Sequence, residues 1–144
     1  MNKNKILFHT ADIPFNLKDK RKLKNCLVNF TLNEGKETGE INYIFCSDEY
    51  LLSINNKYLK HDYYTDIISF QSDNDPLSGD IFISIDRVKD NASSLKIDFR
   101  NELFRVISHG LLHFIGYKDK TKEDKKMMRL KEEELIELLL RSTL

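Results

Sequence analysis

The stretch Val106-Ile107-Ser108-His109-Gly110-Leu111-Leu112-His113-Phe114-Ile115-Gly116-Tyr117-Lys118-Asp119 constrains the fold most. It reads as an apolar helical run that ends at Gly116, where a glycine can take the left-handed conformation that turns a chain back. A helix this apolar has to be covered by other elements. Two histidines interrupt it. His109 and His113 are four apart, so on a helix their imidazoles share one face about one turn apart. Such a pair can grip a divalent metal, with nitrogen–metal distances of about 2.0–2.1 Å for zinc. Asp119, three residues beyond the glycine, can return a carboxylate toward them. Two imidazoles and one carboxylate leave the fourth tetrahedral position open, as in a catalytic zinc site. The alternative is a pair of core histidines bonded to backbone, which requires neither the glycine nor the aspartate at those offsets. The pattern H-x-x-x-H-x-x-G-x-x-D differs from the metalloprotease form H-E-x-x-H, whose glutamate is the general base. Gly110 stands at that position, so the helix offers ligands and no base.

The 144 residues suit one domain, 1–144, long enough to bury a sizeable core. No apolar run approaches the roughly eighteen residues of a membrane span, and Met1-Asn2-Lys3-Asn4-Lys5 leads into only a short one. Residence in the cytoplasm, with no membrane partner, is the expectation. Cys26 and Cys46 are isolated and read as reduced, buried thiols rather than nucleophiles. With 23 basic and 23 acidic residues, bulk charge gives no argument for nucleic acid. Distribution is more useful. Lys18, Lys20, Arg21, Lys22 and Lys24 form one cluster; Lys118, Lys120, Lys122, Lys125, Lys126 and Arg129 form another. Either can be a solvated face, but the second begins beside Asp119 and is the better candidate for phosphate contacts.

Taken in order, the chain predicts a strand at 5–9, a helix at 17–32 with Leu23, Leu27 and Phe30 near one face, and a strand at 40–46. Ser47 or Asp48 can cap a helix at 48–59 carrying Leu51, Leu52, Ile54 and Leu59 on its apolar side. A strand at 65–70, turn chemistry at 71–78 and a strand at 79–85 predict an antiparallel pair. Helices at 86–95 and 98–115 follow. Thr121 and Asp124 form a capping box opening a last helix to about residue 141, with Met127, Met128, Leu130, Leu135, Leu138 and Leu139 on its apolar side. The expected class is α+β: one mixed four-stranded sheet covered by helices, with the metal site on a helix that ends in a glycine turn.

The residues His109-Gly110-Leu111-Leu112-His113-Phe114-Ile115-Gly116-Tyr117 resemble the H-G-x-L-H-L-x-G-Y-D-H signature of the YbeY family of bacterial metal-dependent endoribonucleases. A second block is similar in Ile54-Asn55 through Tyr58, then Asp62 and Thr65-Asp66-Ile67-Ile68-Ser69-Phe70. A third lies in Gly79-Asp80-Ile81-Phe82-Ile83-Ser84. Two departures from the pattern bear on the chemistry. The family's third ligand is usually histidine, and Asp119 stands there; a carboxylate still ligates zinc but makes the metal a weaker Lewis acid. The family usually carries an arginine after the tyrosine of the second block, and Leu59 stands there, with Lys60 and His61 as neighbouring sources of positive charge.

The resemblance implies a zinc-dependent endoribonuclease with one zinc, or another divalent transition metal, per chain. It implies a single-stranded RNA substrate and a role in ribosomal RNA maturation and ribosome quality control on the small ribosomal subunit. His109, His113 and Asp119 would hold the metal, which would bind the scissile phosphate or lower the pKa of a water toward about 7. Proton transfer would fall to a nearby carboxylate, the metal's own water or the 2′-hydroxyl of the RNA. Asp66 and Asp80 could orient a ligand histidine, or simply be strand-end aspartates bonded to backbone. Thr65 and Ser69 could touch substrate. Lys60 and His61 could help carry phosphate charge, or belong to a solvated loop. Tyr117 can pack the turn or stack a base, and packing is the expectation. Two other readings stay open: a metallopeptidase, against which Gly110 argues, and a ribosome-associated assembly factor with a structural or vestigial metal site.

Overall fold

A computed structural model describes residues 3–144. Met1 and Asn2, the first residues of the amino-terminal reading, lie outside the described residues. Strand β1 (Lys5–Thr10) leads to helix α1 (Lys20–Asn33), β2 (Thr38–Cys46), α2 (Asp48–Leu59), β3 (Ile67–Asn74) and β4 (Leu77–Ser84). Helices α3 (Ile85–Leu95), α4 (Phe99–Ile115) and α5 (Lys122–Ser142) complete the order. The sheet runs β1-β2-β4-β3, with β1 and β4 each parallel to β2 and β3 antiparallel to β4. It is the mixed four-stranded sheet of the α+β expectation.

Alternation decides what each face of the sheet meets. Ile41, Tyr43 and Phe45 of β2, with Ile81 and Ile83 of β4, are buried on one face under α1, α3 and α4, and α5 packs on α4 and α1. Cys46, Ile68, Phe70 and Phe82 point the other way and pack with Leu51 and Ile54 of α2. Caps define the helix starts. The Ser47 and Ser84 hydroxyls accept from the N–H groups of Tyr50 and Arg87, and Thr121 and Asp124 close the reciprocal box at the start of α5.

Three expectations change. Residues 71–74 continue β3, with Asp73 opposite Ser78 and Asn74 opposite Leu77, so the turn contracts to Asp75 and Pro76. β3 is an edge strand, where polar side chains reach water without leaving the ladder. On α5 the buried stripe is Met128, Glu132, Leu135 and Leu139, while Met127, Leu130 and Leu138 are exposed. One helical face of that width cannot hold all six apolar residues. Leu59, expected on the apolar side of α2, is exposed as well.

Candidate metal centre

The central helix α4 is anchored before its histidines are placed. The buried hydroxyl of Tyr43 on β2 donates to the Ile107 carbonyl at 2.9 Å. Gly110 lets the helix sit close on the sheet: a Cβ there would lie 3.0 Å from Ile81 Cγ2 and 3.1 Å from Ile67 Cδ1. Position 110 therefore faces the sheet, and a longer side chain there would meet β3 and β4 first.

Gly116 ends the helix at φ 125°, and its N–H and that of Tyr117 both reach the Leu112 carbonyl. Beyond it Tyr117 donates its hydroxyl to Glu34, just past the end of α1, and Lys131 of α5 donates to the same carboxylate at 2.8 Å. Packing with a hydrogen bond is what Tyr117 does here. This clamp holds the returning chain so that Asp119 Oδ2 lies 3.5 Å from the Nε2 atoms of both His109 and His113. The two Nε2 atoms are 2.9 Å apart. A tetrahedral site with ligands at about 2.0–2.1 Å has donor atoms about 3.3–3.4 Å apart. The triangle averages close to that edge, so these three groups could hold a metal ion.

Behind the triangle is a residue that spacing alone did not single out. Glu132 of α5, 8% exposed, places Oε2 2.6 Å from His109 Nδ1. A carboxylate there makes Nδ1 the protonated nitrogen and leaves the Nε2 lone pair facing Asp119 and His113. Glu132 is the one charged residue on the buried stripe of α5, a stripe that only the packed helix defines. Glu132, His109, Asp66, Glu102 and Arg105 line a cavity of about 240 Å³. Burial alone would lower the His109 pKa, but the hydrogen bond and charge of Glu132, with Asp119 and Asp66, raise it overall. Burial raises Asp66 and Glu102 in turn, against the pull of His109 and Arg105 on the first and of Arg105 on the second. The cavity is therefore walled by three carboxylates and by Arg105, which pairs with Glu102.

The other residues singled out by sequence divide. Asp66 shares the cavity with His109. Asp80 does not: it lies on the α2 side of the sheet, where its Oδ1 accepts from Asn42 Nδ2 at 3.2 Å. The one-residue offset from Ile81 sends it to the face opposite α4. Lys60 is the exposed left-handed residue that ends α2. His61 stacks on Tyr63, and neither Lys60 nor His61 joins the histidine pair. Thr65 is half-buried and its hydroxyl reaches the Ile67 carbonyl at 3.5 Å, while Ser69 is exposed on β3. Burial pushes the Cys46 thiol up to about 12, which keeps it from serving as a nucleophile.

The chain matches the family model described as Endoribonuclease YbeY over residues 5–139. A Cytophaga hutchinsonii protein named Endoribonuclease YbeY is 47% identical over 140 residues, covering 96% of this chain and 98% of its own. A Flavobacterium psychrophilum protein of the same name is 49% identical over 128 residues, covering 88% and 91%. The solution structure of a Thermotoga maritima protein aligns with TM-score 0.68 at 24% identity, over 93% of this chain and 88% of that one, a likeness of fold. The histidine signature and near-complete coverage by relatives agree: this chain belongs to the endoribonuclease YbeY family.

Proposed function

We propose that this protein is a metal-dependent endoribonuclease that cuts single-stranded RNA, with residues 1–144 acting as one domain. The proposal extends to ribosomal RNA maturation and ribosome quality control in the cytoplasm, on RNA of the small ribosomal subunit. Among the described residues, no helix is long and apolar enough to cross a membrane. The observation that carries the reading is the donor triangle of His109, His113 and Asp119 in a family whose relatives are named endoribonucleases. Those three residues would hold one zinc, or another divalent transition metal. Bound there, the metal would supply Lewis acidity toward a phosphoryl oxygen and toward water.

The chain's own residues divide the remaining work. Glu132 accepts from His109 Nδ1 and so aims Nε2. Tyr117, Glu34 and Lys131 hold the turn that returns Asp119. Asp66 adds a carboxylate to the cavity behind His109, on the Glu132 side of the ring. Lys118 and Lys120 flank Asp119, and Lys122, Lys125, Lys126 and Arg129 continue along one side of α5 at i, i+3, i+4 and i+7. That stripe gives phosphates a positive path although the net charge is zero. Gly110 faces the sheet and supplies no base, which weighs against a peptidase.

The test is elemental mass spectrometry on protein purified without chelator, followed by RNA cleavage. One equivalent of transition metal lost in Asp119→Ala, with cleavage lost in His113→Ala, supports the reading. A protein that takes up no metal even with added zinc overturns it. Leu59 in place of the family's arginine favours a second reading, a ribosome-associated assembly factor. Small-subunit binding without cleavage by the metal-loaded protein would establish that one.

A further inference from the structure

The segment joining α2 to β3 leaves large rings in water. Tyr58, Tyr63 and Tyr64 are 58%, 55% and 47% exposed, and Leu59 lies between them. Single exposed apolar residues are ordinary, but a cluster of this size marks a contact surface. The rings are held rather than loose. Tyr63 stacks on His61 with centroids 5.1 Å apart and planes at 22°, and its hydroxyl lies 3.0 Å from His61 Nδ1. Tyr64 donates to Glu49 at 2.6 Å, and Tyr58 sets its edge against Phe70 at 5.9 Å. The backbone is pinned from inside, where buried Asn55 donates its amide to the Tyr63 carbonyl at 2.9 Å. Faces fixed in advance lose little freedom when a ligand covers them.

Charge and position identify the ligand. Lys57 Nζ lies 5.3 Å from the Tyr58 ring centroid and the Arg87 guanidinium, itself paired with Asp48, 5.3 Å from that of Tyr64, while Lys60 is exposed in the same segment. The segment runs into Asp66 and Ile67, which line the cavity shared with His109. Two Cα steps of about 3.8 Å keep Tyr64 within about 8 Å of Asp66. Flat rings beside cations, next to a site that would cut a phosphodiester, suit a strand that alternates bases with phosphates.

We infer that Tyr63 and Tyr64 form a base-stacking subsite for single-stranded RNA beside the cavity behind His109, with Tyr58 extending it and Lys57 and Lys60 meeting the flanking phosphates. The inference rests on the RNA-cleaving reading and deepens it: the segment takes bases, and the basic side of α5 takes backbone.

The test is fluorescence anisotropy with labelled oligoadenylate RNA and with the same strand made abasic. The full chain carries His113→Ala so that neither strand is cut. Tyr63→Ala and Tyr64→Ala should each weaken oligoadenylate binding by about 5- to 100-fold. Binding of the abasic strand, the slope against salt and the melting temperature should stay where they are. Tyr64→Phe loses the hydroxyl donated to Glu49 but keeps its face, so it should bind like the parent. The inference is overturned if the alanine variants bind oligoadenylate like the parent, as they would were the rings a protein contact. It is also overturned if both strands weaken alike, or if Tyr64→Phe fails as Tyr64→Ala does. A parent that binds neither strand removes the RNA-cleaving reading along with it.

Discussion

Glu132→Ala removes the carboxylate 2.6 Å from His109 Nδ1, and two separate magnitudes bear on the result. A hydrogen bond to a charged group contributes about 1.5–3 kcal/mol. Loss of a carboxylate behind a metal-binding histidine typically costs about 10–100-fold in affinity, or about 1.4–2.7 kcal/mol. The two agree, so zinc affinity should fall by about 10–100-fold. Stability of the metal-free protein should move less, by under about 1 kcal/mol. Glu132 shares its cavity with Asp66 and Glu102, and burial already raises the pKa of both, so removing one of three crowded carboxylates offsets part of the lost bond. Glu132→Gln keeps an acceptor without the charge and should recover part of the affinity. Competition with a chromophoric chelator measures the affinity, thermal melting of the metal-free protein measures stability, and nitrogen-15 NMR of the His109 ring reads which nitrogen holds the proton. Parental zinc affinity in Glu132→Ala would refute the reasoning. So would a loss matched by an equal fall in metal-free stability, because Glu132 would then act through the fold and not through the aim of His109.

Three further outcomes follow from the geometry. Gly110→Ala puts a methyl 3.0 Å from Ile81; overpacking costs about 1–3 kcal/mol and the gain in helix propensity returns about 1, so urea denaturation should show a net loss of up to about 2 kcal/mol. A more stable variant would show that α4 is not pressed onto β4. Burial pushes Glu34 up, but hydrogen bonds from Lys131 and Tyr117, with the charge of Lys131, lower it below its ordinary 4.5. A depressed carboxyl stabilises above its unfolded value and loses that contribution as pH falls through the folded one. Glu34→Gln should therefore be less stable than the parent by about 1 kcal/mol above pH 4.5, with the gap closing at lower pH; a gap that persists into acid would refute the pairing. Asp119→His restores a neutral third ligand, so the acid limb of RNA cleavage should move to lower pH, and an unchanged limb would exclude Asp119 from the metal.

What could be read from the sequence was mostly what local geometry decides. The four-residue spacing of the histidines, the glycine turn and the Thr121–Asp124 box are short-range, and each holds in the fold. Asp80 could have been read as well, because the alternation that buries Ile81 sends its neighbour to the other face. The polar run at 71–74 reads as a turn until it is known to lie on a sheet edge, which is a property of the whole sheet. Glu132 depends on the rotation of α5 against α4, set by Met128, Leu135 and Leu139, and no spacing around His109 encodes it. The same rotation leaves Met127, Leu130 and Leu138 outside.

The partner of His109 lies 23 residues further along the chain. At about 5–20 residues per second, a ribosome needs between one and several seconds to pass from one to the other. Until α5 docks, His109 lacks the carboxylate that fixes its tautomer and its aim. The docking of α5 is therefore what turns a loose pair of imidazoles into a directed one, and the last helix of the chain completes a site whose histidines lie on the helix before it.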